Sequence, residues 1–228
     1  MKIEILKHSG LNIFAAVEVS KLPVDILDIL KAQNIPHEAQ DTLCIIGSGG
    51  RDLWKHLTHP LNEILHPIDN FSIETMKKLE DNIQILFPHP QWNIPLQRIG
   101  RFLNISRASL LGLDINKDYG PWFAFRGAFL TKTKIGEMKY ENFNSPCETC
   151  ETKPCISACP TNAVAKIGES FKLNLCADHR LKLASSCADR CLARLACPYQ
   201  DQHKYKLEQI QYHMTRTAHL KKLSNYIS

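Results

Sequence analysis

Apolar residues follow two patterns along the first 140 residues, one typical of strands and one typical of helices. Runs of apolar and β-branched residues predict strands over Leu11–Val19, Thr42–Gly47 and Ile83–Phe87. A longer aromatic and apolar run, Trp122–Thr131, predicts a strand in the middle of a sheet. The chain is therefore expected to begin with a domain that mixes strands and helices.

Helical spacing of apolar residues separates these predicted strands. Helices are predicted over residues 1–9, Arg51–Thr58, Ser72–Gln84 and Leu96–Leu103, with a loop or short helix over Pro23–Asn34. In the helix that starts at Ser72, this serine is the candidate N-cap and Glu74 lies in the first turn. Pro60 is expected to stop the second of these helices.

The composition changes in the polar stretch Gly136–Pro146, where we predict a domain boundary. The chain is expected to form a first domain over 1–140, a second over 141–200 and a terminal helix within 201–228. In the second domain, two short apolar arms around Gly168-Glu169 predict a hairpin over Val164–Leu173. A basic, amphipathic helix is predicted over Gln209–Leu223.

Size and charge limit the classes of protein to be considered. The chain has 228 residues, of which 44% are hydrophobic, enough for one core and a smaller second module. The N-terminus is too charged for a signal peptide, and no run of about 18 apolar residues exists, so we expect a cytoplasmic protein without a membrane segment. The net charge of +5 does not require a nucleic-acid partner, because bound anionic groups could offset it.

Eight of the nine cysteines lie in the last third of the chain, in two runs that each end in Cys-Pro. The runs are Cys147-x2-Cys150-x4-Cys155-x3-Cys159 and Cys176-x10-Cys187-x3-Cys191-x5-Cys197. Without a signal peptide, metal or cluster ligation is favoured over disulfides, and four plus four thiols match two cubane iron–sulfur clusters. Two all-cysteine zinc sites are the alternative, although zinc sites usually pair short Cys-x2-Cys knuckles. Cys44, in an apolar stretch, is interpreted as a buried small hydrophobic residue.

The stretch Cys155-Ile-Ser-Ala-Cys159-Pro-Thr-Asn-Ala-Val164 resembles the signature of ferredoxins with two [4Fe-4S] clusters. In that family the cysteine before proline serves the other cluster. The resemblance therefore implies two ligand sets: Cys147, Cys150, Cys155 and Cys197 for the first cluster, and Cys159, Cys176, Cys187 and Cys191 for the second. The chain departs from the family in having four residues, where two are usual, between Cys150 and Cys155.

The first domain contains no Walker loop, GxGxxG or HExxH motif. Its most informative segment is Asp118–Leu130, where a Gly-Pro turn leads into a strand that carries Arg126 among aromatic residues. A buried arginine requires an anionic or polar partner. That partner is either a carboxylate within the fold or a group of a bound ligand.

This segment resembles the corresponding strand of the cobalamin-processing family named after methylmalonic aciduria and homocystinuria type C, of the epoxyqueuosine reductases and of the reductive dehalogenases. The resemblance implies an α+β, nitroreductase-like domain that binds cobalamin without a histidine ligand to cobalt. In agreement, the chain has no Asp-x-His-x-x-Gly motif. The resemblance places Arg126 at the cofactor pocket, and the implied pocket wall consists of Gly120, Trp122, Phe123 and Gly127.

Three functions are compatible with these features. The first is an oxidoreductase in which two [4Fe-4S] clusters pass low-potential electrons to a cobalamin in the first domain. The second is a cobalamin-dependent reductase like epoxyqueuosine reductase, although few residues remain after Cys197 to hold tRNA. The third is an electron carrier whose first domain binds no cofactor. A flavin bound by the first domain is a further alternative. The expected partners are cobalamin or another small molecule and an electron donor such as a flavodoxin or ferredoxin reductase.

Overall fold

The computed structural model describes residues 1–57, 61 and 64–227 and divides the chain into two compact units. The first unit consists of Met1–Ser106 and Phe123–Phe143. The second consists of Arg107–Trp122 and the chain from Asn144 onward. The segment 107–122, which the sequence pattern assigned to the first domain, is thus grouped with the cysteine-rich part.

The core of the first unit is an antiparallel sheet of four strands in the order β1-β2-β6-β3. The strands are β1 (Ile13–Glu18), β2 (Thr42–Gly49), β3 (Ile83–Phe87) and β6 (Phe123–Thr131). Every residue of the interior strand β2 is buried, as are six of the nine residues of β6. The predicted strands are confirmed, including the central place of the strand that begins near Trp122. The fold is a mixed α and β arrangement with a small antiparallel sheet.

Five helices have described bounds in the first unit: α1 (Glu4–His8), α2 (Val24–Ala32), α3 (Asp52–Lys55), α4 (Pro67–Leu79) and α5 (Leu96–Phe102). A 3-10 turn covers Val19–Lys21. Helix α4 packs on β6 and places the fully buried Met76 against the sheet. Thr58 and Pro60, where the second helix was predicted to stop, lie outside the described residues.

The predicted start of α4 at Ser72 is wrong, because the helix begins at Pro67. Proline is favoured in the first helical turn, where its missing N–H costs no hydrogen bond. Ser72 lies inside the helix, and its hydroxyl donates to the carbonyl of Ile68 at 2.8 Å. The helix also ends earlier than predicted, at Leu79, so that Ile83 can pair with Thr131 in the sheet.

The second unit contains short elements connected by tight turns. They are β4 (Arg107–Ala108), β5 (Asp114–Ile115), α6 (Pro146–Thr149), α7 (Pro154–Ser157), α8 (Leu173–Leu181), α9 (Leu192–Leu195), a 3-10 turn (Asp201–His203), α10 (Leu207–Thr215) and α11 (Thr217–Ser224). The single terminal helix predicted over Gln209–Leu223 is wrong. It is divided at Arg216, whose backbone is extended with ψ of 123°. Within the described part of the chain, no helix is long and apolar enough to cross a membrane.

The hairpin predicted over Val164–Leu173 is also wrong, since no strand is assigned there and all of its residues are described. The turn itself is present: the N–H of Glu169 donates to the carbonyl of Lys166 at 3.1 Å. The N–H of Lys172 reaches the carbonyl of Ala163. The second arm cannot extend as a strand, because α8 begins at Leu173.

Cys44 is confirmed as a core residue of β2, with none of its surface exposed. Burial, reinforced by the carboxylate of Glu80, raises the pKa of its thiol.

We therefore expect that iodoacetamide modifies the metal-free native protein at Cys150, which is half-buried, but modifies Cys44 only after unfolding in guanidinium. Mass spectrometry of the digested protein measures the rate of modification at each of these two cysteines. Equal rates at Cys44 and Cys150 in the native protein would contradict the packing of β2.

Candidate metal centres

Two cavities in the second unit are each lined by four cysteines. Site I is lined by Cys147, Cys150, Cys155 and Cys197, and it encloses about 400 Å³ of space, part of it open to solvent. Site II is lined by Cys159, Cys176, Cys187 and Cys191. It encloses about 390 Å³ of space, part of it also open to solvent. The structure thus brings together the eight cysteines that the sequence singled out, in the two sets that the crossed pattern implies.

One-turn helices present most of the thiols of site I. Pro146 and Pro154 open α6 and α7, where a proline suits the first turn. Cys147 lies in α6, Cys150 caps its C-terminal end, and Cys155 lies in α7. Because these helices are only four residues long, the chain turns sharply and can direct three thiols into one cavity.

The fourth thiol of each site comes from the other half of the cysteine motif. Cys155 in α7 lines site I, whereas Cys159, just after the same helix, lines site II. In the same way Cys191, the N-cap of α9, lines site II and Cys197 lines site I. Helices α7 and α9 pack against each other, so each of these helices serves both sites.

Leu111, in the segment 107–122, lines both cavities. It belongs to a small hydrophobic core with Val164 and Ala193, against which Phe171 packs. The turn directly after Leu111 requires glycine. Gly112 has φ of +71°, and a Cβ atom there would lie 2.6 Å from the ring of Phe171. Sequence reasoning missed the contribution of Leu111, because no local pattern connects it to cysteines that follow much later in the chain.

Arg194 attaches the segment 107–122 to the cysteine-rich chain. Its guanidinium carbon lies 4.6 Å from the ring centroid of Trp122 and 5.1 Å from that of Tyr205. Its Nε also donates to the carbonyl of Pro121 at 3.1 Å. Such cation–π contacts contribute about 1–2 kcal/mol when they are partly desolvated. Because Arg194 follows Cys191 by three residues, this contact also holds the helix that carries a site II thiol.

Burial keeps several of these thiols protonated in the metal-free protein. Burial and the neighbouring thiols Cys147, Cys197 and Cys150 raise the pKa of Cys155 to about 11. Burial and the neighbouring Cys191 likewise raise the pKa of Cys176 to about 11, although Arg180 opposes the shift. Binding of a metal or cluster must therefore displace protons, and the ligated state gains stability as the pH rises toward these values.

Cys159 differs, because it lies among hydrogen-bond donors. Burial alone would raise the pKa of its thiol, but backbone N–H groups of Thr161, Val164 and Ala163 and the Thr161 hydroxyl together lower it. The hydroxyl oxygen of Thr161 lies 3.7 Å from the sulfur. At this position the fold itself stabilises a thiolate, which is the form that ligates metal.

A cationic side chain lines each cavity. At site I this is Lys153, whose Nζ donates to the carbonyl of Cys150 at 2.6 Å. At site II it is Arg180, next to His179. Arg180 follows Cys176 by four residues on α8, so helical spacing alone could have identified it as a neighbour of that thiol.

The donor set of the two sites suits an iron–sulfur cluster. Among the described residues, no group of three or more His, Cys, Asp or Glu side chains is arranged to hold one metal ion. The four thiols of each site instead line the wall of a cavity, and all-cysteine ligation is the usual way of holding cubane clusters. The residues present therefore fit that group.

The residues predicted for a pocket in the first domain are divided between the two units. In the first unit, Nε of Arg126 donates to the hydroxyl of the buried Ser48 at 2.9 Å, and the ring of Phe123 contacts Phe125 edge to face. A Cβ atom at Gly127 would lie 2.6 Å from Sδ of Met76, so this glycine permits core packing.

Gly120 and Trp122 belong to the second unit. Gly120 has φ of +60°, and a Cβ atom there would lie 2.5 Å from the carbonyl oxygen of Tyr199. Trp122 is 1% exposed and packs with Tyr205 and Ile210. The contacts of these two residues are those of a packed core.

No protein-family model matches the chain, and none of the curated proteins compared with it matches either. Several solved structures, however, are similar to the chain. Epoxyqueuosine reductase from Streptococcus thermophilus is 14% identical with a TM-score of 0.51, over 88% of this chain and 66% of that reductase. This chain therefore spans slightly less than two thirds of that protein.

Two further structures are similar. The C. elegans B12-trafficking protein CblC, a homologue of human MMACHC, is 13% identical with a TM-score of 0.51, over 99% of this chain and 94% of CblC. An epoxyqueuosine reductase solved with a tRNA-Tyr stem loop is 11% identical with a TM-score of 0.51, over 92% of this chain and 67% of that protein. At these identities the likeness establishes the fold, and the chain shares the fold common to epoxyqueuosine reductases and CblC.

Proposed function

We propose that this protein is an iron–sulfur redox protein with one [4Fe-4S] cluster at site I and one at site II. The observation that carries the proposal is that four cysteine thiols line each of two cavities in the second unit. A zinc ion needs its sulfur ligands about 2.3 Å from one metal centre, whereas a cubane fills the space between more widely separated thiols. When bound, such clusters supply one-electron transfer at low potential.

The side chains around the thiols have three roles in this proposal. The thiolates hold the clusters, and the thiolate of Cys159 is stabilised by the hydrogen bonds described above. Leu111, Val164 and Phe171 keep water away from the cavity walls. Lys153 and Arg180 place positive charge beside groups that become more negative on reduction.

We propose that the acceptor of the electrons is a cobalamin bound by the first unit. The shared fold with a B12-trafficking protein supports this, because the likeness extends over 99% of this chain. Low-potential electrons from cubane clusters are suited to reducing cobalt. Within the first unit, Arg126 on β6 is the proposed contact for the cofactor, and the electron donor to the clusters is a flavodoxin or a ferredoxin reductase.

A cobalamin-dependent reductase of the epoxyqueuosine type is the second candidate. The similarity to an epoxyqueuosine reductase solved with a tRNA stem loop favours it. Because this chain covers only 66% and 67% of the two reductases, their activity and substrate are not transferred to it directly. An electron carrier without a cofactor in the first unit is the outcome expected if neither cobalamin nor flavin binds.

The crossed ligand sets predict which cluster each cysteine variant loses. After anaerobic reconstitution, the unaltered chain should contain about eight irons and eight sulfides, and each single variant about four of each. Cys159→Ala should lose the same electron paramagnetic resonance (EPR) signal as Cys176→Ala, because both thiols line site II. Cys197→Ala should lose the same signal as Cys147→Ala, because both line site I.

Cys44→Ala is the matched control and should keep both signals, since Cys44 lies in the sheet of the first unit. If Cys159→Ala instead lost the signal that Cys155→Ala loses, the crossed arrangement would be wrong. Zinc without sulfide in the purified protein would contradict the iron–sulfur proposal.

Cobalamin binding is tested by EPR of cob(II)alamin with and without the anaerobic protein. A change to a signal without an axial base is expected. Arg126→Ala should weaken binding about tenfold, the effect of losing one charged hydrogen bond, and should leave iron content unchanged. Arg98→Ala, which removes an exposed arginine of the same unit, is the control. An unchanged cob(II)alamin signal, with a flavin titration also negative, would leave the electron carrier as the function.

The second candidate is tested with a tRNA stem loop in a gel-shift titration at rising salt. Under the main proposal we expect no retention, because electron delivery to cobalamin requires no phosphate contacts. Binding that weakens as salt rises and is lost in the double variant Lys221→Ala, Lys222→Ala would favour the reductase. The double variant Lys7→Ala, Lys31→Ala, on α1 and α2 of the first unit, serves as a charge-matched control.

A further inference from the structure

The two cysteine sites are matched in burial. Each site has one buried thiol, Cys155 or Cys187, and its other three thiols are half-buried. Solvent exposure, one of the factors that sets the reduction potential of an iron–sulfur cluster, is therefore similar at both. The remaining factors, hydrogen bonds to sulfur and nearby charge, differ between them.

Hydrogen-bond donors gather around the sulfurs of site II. The Thr161 hydroxyl lies 3.7 Å from the sulfur of Cys159, and the backbone N–H groups of Thr161, Val164 and Ala163 lower the pKa of its thiol against the effect of burial. The N–H of Arg194 donates to the sulfur of Cys191 at 3.5 Å. Each donor stabilises negative charge on sulfur, and that charge increases when a cluster is reduced.

The corresponding contacts at site I involve fewer residues. Burial raises the pKa of the Cys197 thiol and the N–H of Tyr199 opposes this rise, while at Cys155 burial likewise outweighs the residue's own N–H. The cation of this site is Lys153, whose Nζ donates to the carbonyl of Cys150 at 2.6 Å. Its ammonium is a point charge and lacks the planar set of five donors that an arginine carries.

The cation of site II has an available donor. Nη2 of Arg180 donates to the carbonyl of Met214 at 2.8 Å, which holds the guanidinium against α10. Its Nε is buried and has no hydrogen-bond partner among the described residues. A buried N–H without a partner is unfavourable because the group has lost its hydrogen bonds to water, so a group that accepts from it is expected in the finished site. Arg180 lines the cavity beside Cys176, which makes the sulfur ligands of a bound cluster the acceptors in reach.

We propose that Arg180 raises the reduction potential of the site II cluster above that of the site I cluster. A single transferred electron would then reside mainly on the site II cluster. This inference rests on the proposed function, since it requires a cluster at both sites. A carrier of the flavodoxin class would lose one electron to the cluster held at site I, so that the carrier is oxidised and this cluster is reduced. The electron would then pass to the cluster held at site II, which returns the site I cluster to its oxidised state. Site II is therefore the site from which an acceptor is supplied.

The experiment compares midpoint potentials of single clusters. Cys155→Ala leaves only site II and Cys187→Ala leaves only site I, and each variant is accepted when it holds about four irons and four sulfides. Anaerobic potentiometric titration followed by EPR should give the more positive midpoint for the protein with site II alone. In that background, Arg180→Met should lower the ratio of reduced to oxidised cluster at a fixed potential about tenfold, a shift of about 59 mV for a one-electron couple.

Two controls separate charge from structure. Arg180→Lys keeps the positive charge and should recover most of the shift. Lys153→Met alters the cation of site I and should leave the site II midpoint unchanged. If Arg180→Met does not hold its cluster, Arg180→Gln tests the same effect, because it removes the charge, keeps a polar side chain and should also lower the site II midpoint.

The outcomes distinguish the two levels of the proposal. An iron-loaded protein in which site I has the more positive midpoint overturns the inference and leaves the proposed function standing. The same holds if a variant that removes the charge of Arg180 and keeps its cluster does not move the midpoint of site II. A chain that takes up no iron and sulfide overturns the proposed function and this inference together.

Discussion

The second unit depends on the crossing of its cysteine ligands. Cys159 and Cys197 each leave the thiols nearest to them in sequence and join the set formed by the other half of the motif. Neither site can be completed by one half alone, so the two halves must fold together. A bound group at either site would then stabilise the whole unit, because ligation free energy becomes folding free energy when the ligand set exists only in the folded chain.

The crossing requires that two short helices lie side by side, and the hydrophobic contacts supply that condition. Leu111, Val164 and Ala193 form a core beside α7 and α9. Arg194, held by Trp122 and Tyr205, fixes α9 from its other side. The segment 107–122 therefore belongs to the cysteine-rich unit for physical reasons, although both of its flanks in sequence belong to the other unit.

This arrangement limits which residues can form a ligand pocket in the first unit. Gly120 and Trp122 serve the packing of the second unit, and Gly127 makes room for Met76 in the first. On β6, Phe123 is buried and packs on Phe125, so Arg126 remains as the side chain proposed to contact a cofactor. The resemblance implied one pocket formed by Arg126 and a wall of four neighbouring residues, but a strand alternates its faces, and this chain changes unit between Trp122 and Phe123.

The amino-acid sequence by itself determined the donor chemistry and most of the sheet. Eight clustered thiols, two Cys-Pro ends and the apolar runs of β1, β2, β3 and β6 are local signals, and residue identity and spacing carry them. Only the tertiary structure decided the end of α4, after which Ile83 pairs with Thr131, and the assignment of 107–122 to the second unit. These depend on contacts between residues far apart in sequence, such as Arg194 with Trp122, whose strength depends on packing and leaves no periodic pattern in the chain.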